Sequence, residues 1–125
     1  MSIDNPGFTV AAILSLFTWA IHTFLGGREI ARPLLQSAMK PIPKLTNYYC
    51  WHLVTLTLLA MTGGFAYAAV FPSASDLGFF LTLIAASFCI WSLILVIWKQ
   101  RRPLELPQWI LFLSVTGAAT WGVLS

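Results

Sequence analysis

Two histidines, His22 and His52, are the only side chains in the apolar stretches of this chain that titrate readily near neutral pH. His22 lies in "FTVAAILSLFTWAIHTFLGG" and His52 in "NYYCWHLVTLTLLAMTGGFAYAAV". His22 stands about five residues before the end of its run, and His52 about five after the start of its own. In antiparallel helices, at about 1.5 Å per residue, both rings then lie roughly 8 Å from the same end. Neutral imidazoles from neighbouring helices can ligate a haem iron or a soft metal. They can also hydrogen-bond a quinone or another polar-headed lipid, or pass protons. The plainer reading is that each ring bonds a hydroxyl or a backbone carbonyl next door and holds a bundle in register.

Helical spacing ranks the neighbours. Ser15, Trp19, His22 and Gly26 share one face of the first run, and Tyr48, His52, Thr55, Leu59 and Thr62 share one face of the second. Both stripes are mildly polar and are expected to turn inward. The candidate ligand-binding set is therefore His22, His52, Trp19, Tyr48 and Thr55, with His22 and His52 as candidate metal ligands. Residue types do not specify the cofactor: haem and metal are both compatible, but two stacked haems would need four histidines. Tyr49 and Trp51 read as interfacial anchors. Cys50 is about 200° around the helix from His52. Cys50 and Cys89 read as small packing groups, and their different depths argue against a disulfide.

These residues need a scaffold, and composition indicates which. The chain has 125 residues, 58% hydrophobic and 9% charged, against about 25% charged in soluble domains. Four apolar runs reach the roughly 20 residues a bilayer requires, at about 8–27, 47–70, 77–98 and 107–124. Asp4 or Asn5 can cap the first with Pro6 in its first turn, and Thr46 or Asn47 can cap the second. The first run begins with no basic segment before it, unlike a cleavable signal peptide. The expected fold is an all-α integral membrane protein: four transmembrane helices in one up-and-down bundle over residues 1–125, with both termini on the non-cytoplasmic side.

That orientation rests on charge. All seven basic residues fall in two segments: Arg28, Arg32, Lys40 and Lys44 after the first run, and Lys99, Arg101 and Arg102 after the third. Cytoplasmic loops concentrate Lys and Arg, so both segments are expected at the cytoplasmic membrane surface, in a bacterial inner membrane. The stretch "REIARPLLQSAMKPIPK" has two readings. One is an amphipathic interfacial helix over 33–40, opened by Pro33, ended by Pro41 and Pro43, and drawn to anionic head groups. The other is an extension of the first run followed by an extended linker. Ala60 and Gly64, Ala85 and Ala86, and Gly117, Ala118 and Ala119 mark expected helix-packing faces, within the bundle or between copies.

Several functions lose support from the residues present. No acid lies in any apolar run to couple cation exchange, no Gly-rich phosphate loop or HExxH motif occurs, and nothing suggests nucleic-acid binding. The first functional expectation is a membrane protein that holds a haem, metal, quinone or lipid head group near the cytoplasmic leaflet through the two histidines. The second is a non-catalytic accessory or assembly subunit of a larger membrane complex. The third is a small oligomeric transporter, whose polar path would need the hydroxyls of Thr55, Thr62, Ser87, Ser92, Ser114, Thr116 and Thr120. An enzyme is the less favoured reading throughout.

Overall fold

Asn5 starts the first helix and also ties it to two others. Its side-chain oxygen accepts from the Phe8 amide at 3.0 Å, and Pro6 occupies the first turn, where no amide hydrogen is needed. Its side-chain nitrogen donates to the Gly122 carbonyl at 2.8 Å. The Asp4 and Asn5 amides both donate to the Ala69 carbonyl, at 2.9 and 3.0 Å. The computed structural model to which these contacts belong describes residues 2–125, which contain no strand. It has four long helical stretches: α1, Pro6–Gln36; α2, Pro41–Val70; α3, Ser75–Trp98; and α4, Gln108–Leu124. The bonds at Asn5 place the start of α1 beside the ends of α2 and α4, so both run opposite to it. α3 packs on α2 and α4 and closes the four-helix bundle.

Three helical stretches, Pro6–Gln36, Pro41–Val70 and Pro72–Trp98 (α3 with its leading 3-10 turn), are long and apolar enough to cross a membrane. α4, expected as a fourth such span, has only 17 residues. That is about 25 Å of helix, against a hydrocarbon layer of about 30 Å.

Phe8 closes one end of the bundle. It is 2% exposed, and its ring lies 6.0 Å from that of Phe65. Gly78 of α3 and Gly122 of α4 make room for it: a Cβ on either would collide with Phe8. Of the expected packing residues, Ala85 and Ala119 are fully buried and Gly64 faces Leu81. Ala60 and Gly117 are exposed on the outside of the bundle.

Of the two readings of the connection between α1 and α2, the structure follows the extension: α1 runs past Gly27 to Gln36, and no separate helix occupies 33–40. Residues 37–40 form the turn, opened by Ser37 bonding back to the Leu34 carbonyl at 2.7 Å. α2 then starts at Pro41, and Pro41 and Pro43 sit in its first turn. Prolines there lose no intrahelical bond, so they begin this helix instead of ending the previous one. Thr46 and Asn47, expected as caps, are interior, and the Asn47 side chain donates back to the Pro43 carbonyl at 2.8 Å.

Pro33 therefore lies inside α1, where it lacks a donor and presses on the carbonyl four residues earlier. The helix widens just before it. Residues Ile21–Leu25 and Gly27–Ala31 are π-helical, with the Gly26 amide bonded to the Ile21 carbonyl and the Arg32 amide to the Gly27 carbonyl. Widened turns of this kind recur at functional sites, and the first one carries His22.

Candidate functional site

His22 meets α2 through three contacts. Its Nε2 lies 3.1 Å from the Trp51 carbonyl and 2.9 Å from the Thr55 hydroxyl. Its ring stacks on Trp51, with centroids 4.3 Å apart and planes 22° apart. A carbonyl oxygen can only accept, so Nε2 carries the hydrogen and donates to both oxygens. Thr55 in turn donates to the Trp51 carbonyl at 3.3 Å. These partners fix the tautomer and leave the lone pair on Nδ1, which has no protein partner among the described residues. The ring is pinned on one edge and available on the other.

Trp51 also lies beside Gly26 and Gly27. A Cβ on Gly26 or Gly27 would lie 3.8–3.9 Å from the Trp51 indole, in ordinary contact, so the α1 backbone itself is the surface against which Trp51 lies.

Beyond Trp51 the aromatic cluster continues outward. The His52 ring stands perpendicular to Tyr48 (4.5 Å, 82°) and to Trp51 (5.0 Å, 82°). Tyr48 and Trp51 are parallel within 2°, at 6.4 Å. His52 is exposed, and Tyr48 is half-buried. Neither the His52 ring nitrogens nor the Tyr48 hydroxyl has a protein hydrogen bond among the described residues.

The structure brings His22 and Thr55 of the candidate set together and turns His52 to the outside of α2. The inward face is Trp51, Leu58, Met61, Phe65 and Ala68, while His52 and Leu59 are exposed. Trp51, read from the sequence as an anchor, is the residue that touches both imidazoles. The i, i+7, i+14 row Trp51, Leu58 and Phe65 was the available signal. Trp19 is half-buried, with its ring 6.0 Å from Phe24. No group of three or more His, Cys, Asp or Glu capable of holding a metal occurs among the described residues. Cys50 is exposed, whereas Cys89 is buried, its Sγ 3.6 Å from the Trp109 carbonyl.

The basic residues lie at the same end as this cluster. Arg28, Arg32, Lys40, Lys99, Arg101 and Arg102 are exposed, and Lys44 is half-buried. Arg28 pairs with Glu29 at 2.9 Å, and Lys99 lies 4.3 Å over the Trp98 ring. The hydroxyls of a conceivable polar path mostly bond their own helices: Thr62 to Leu58, Ser87 to Leu83, Ser114 to Leu111 and Thr116 to Phe112, at 2.6–2.9 Å.

No protein-family model, curated protein or solved structure is significantly similar to this chain.

Proposed function

We propose that this chain is a small inner-membrane protein that binds a lipid-like ligand, a quinone or a polar lipid head group, near the cytoplasmic leaflet. All four helices cross the bilayer in this reading, with both termini on the non-cytoplasmic side. Its supports are three helices of spanning length and the gathering of all seven basic residues into two segments at one end. One observation carries the ligand reading: four rings, His22, Trp51, His52 and Tyr48, join two helices at one depth, and the outer two present unbonded polar atoms on an apolar surface. Imidazole and phenol groups placed there suit a ligand with polar head and apolar body. The same geometry is less suited to a haem or metal held by both histidines, because Trp51 contacts both rings and His52 turns outward.

The test is gentle purification followed by lipid extraction, mass spectrometry, an absorption spectrum and metal analysis, on wild type and on the His22→Ala, His52→Ala double variant. The expected result is a lipid or quinone class enriched over bulk membrane in wild type and lost in the variant. Equal lipid complements in both, or a haem spectrum or bound metal in wild type, would overturn the reading.

A second reading, an accessory or assembly subunit of a larger membrane complex, is favoured by helix length. α1 and α2 have 31 and 30 residues against 17 in α4, roughly 20 Å more helix. Ile30, Ile42 and Leu45 are exposed on this longer hairpin. Crosslinking in native membranes tests it: a reproducible heterologous partner supports the reading, and recovery only as monomer or homo-oligomer counts against it.

A further inference from the structure

Three buried polar atoms have no protein partner among the described residues: Ser15 Oγ, Trp19 Nε1 and Thr23 Oγ1. All three belong to α1, at spacing i, i+4 and i+8, so they mark successive turns of one stripe about 12 Å long. Other hydroxyls of this helix satisfy themselves: Thr9 donates to the Asn5 carbonyl at 3.1 Å and Thr18 to the Leu14 carbonyl at 2.8 Å. The exception therefore belongs to the stripe, not to the residue type. Near Thr23 the π-turn displaces the carbonyl that a threonine would normally reach. Trp19 has no such option anywhere, because an indole N–H cannot fold back onto its own turn. It needs an acceptor from outside the helix.

The two ends of the stripe differ. At one end stands His22, half-buried, with its unpartnered Nδ1. At the other, Ser15 and Ala11 are both 0% exposed, and Phe8 and Phe65 follow at 2% and 0%. That end is filled with hydrocarbon. An occupant must accept from Trp19 and exchange hydrogen bonds with two hydroxyls and an imidazole. It must also be small enough to lie between packed helices. Water meets these demands, since a buried water typically makes about three bonds to otherwise unsatisfied polar groups.

We propose that Ser15, Trp19, Thr23 and His22 line a blind water-filled seam. It enters the bundle beside His22, at the end carrying the basic residues, and is stopped at Ala11, Phe8 and Phe65. It gives His22 contact with water on its Nδ1 side whether or not the aromatic cluster outside binds a lipid.

Substituted-cysteine labelling tests this in the intact protein. In a Cys50→Ser, Cys89→Ala background, Ser15→Cys and Ala11→Cys are treated with a small water-soluble methanethiosulfonate, and folding is checked by gel filtration. Only a hydrated thiol ionises to the reactive thiolate, so Ser15→Cys should label at least about tenfold faster than Ala11→Cys. Equal and fast rates would overturn the proposal; where both are slow, because the reagent is larger than water, the Trp19→Phe midpoint decides. Trp19→Phe gives an independent reading if either cysteine variant misfolds. Removing a hydrated N–H leaves the thermal midpoint unchanged or lower, and a higher midpoint would mean that the indole is dry.

Discussion

Replacing Gly78 by alanine would drive a methyl group into the ring of Phe8. The ring has nowhere to go. On another side it is bounded by Gly122, where an added Cβ would also collide with it, and Phe65 lies 6.0 Å away. Overpacking of this kind costs about 1–3 kcal/mol, and the expected destabilisation of Gly78→Ala lies in that range. Phe8→Leu removes the obstruction but leaves a void, losing part of the roughly 3–5 kcal/mol that truncating a core Phe to Ala costs. In the double variant the new methyl fills space the ring has vacated. The pair should therefore be less destabilised than the sum of its members, with a coupling of about 1 kcal/mol or more. Reversible unfolding in mixed micelles measures all four proteins. Additivity within about 0.5 kcal/mol would mean that Gly78 and Phe8 do not meet as described, and the packing of that end of the bundle would have to be redrawn.

Other perturbations probe other parts. Among the described residues Gln100 is the one non-glycine residue with positive φ, at 52°, in the turn where the Arg101 amide reaches back to the Val96 carbonyl at 3.0 Å. Gln100→Gly should stabilise by about 0.5–1 kcal/mol in thermal or denaturant unfolding, and Gln100→Val should destabilise. Thr55→Val removes one of the two His22 acceptors while keeping shape. A cycle with His22→Phe should give a coupling of about 0.6 kcal/mol, the usual size for hydrogen bonds between helices in membranes, and zero coupling would contradict the assigned contact. Trp51→Ala should cost about 0.5–1.5 kcal/mol beyond Trp91→Ala in the same unfolding assay, because Trp51 stacks on His22 while Trp91 is exposed. In the folded protein Cys50 should react with maleimide well before Cys89, as judged by mass shift over time.

The helices were legible because apolar runs of this length have few other uses. Asn5 and Pro6 announced the first start correctly, since a side-chain acceptor followed by proline satisfies the opening turn of a helix. Pro41 and Pro43 are ambiguous in the sequence because proline both follows helices and begins them, and only the tertiary course of Gly27–Gln36 decides between the two. The π-turns left no periodic signature, since a 3.6-residue repeat assumes the geometry that Pro33 and the double glycine disrupt. The rotation of α2 is hidden in the sequence for a different reason. Polarity points to the stripe of Tyr48, His52 and Thr55 as its inward face, yet near the end of a bundle an imidazole can point outward toward solvent or head groups. The bulk of Leu58, Met61 and Phe65 set the face, and Trp51 followed from them.

The short α4 has a consequence for the surroundings of the protein. With 17 residues against 30 in α2, its flank offers about 25 Å of apolar height to a layer of about 30 Å. If α4 crosses the bilayer as proposed, lipids beside it compress, or flanking side chains reach outward, at a fraction of a kcal/mol for each Å of mismatch. In that arrangement a protein thinned on one side would drift toward thinner membrane, or toward any neighbour able to cover its short wall, so the shape of its perimeter would bias its lateral position.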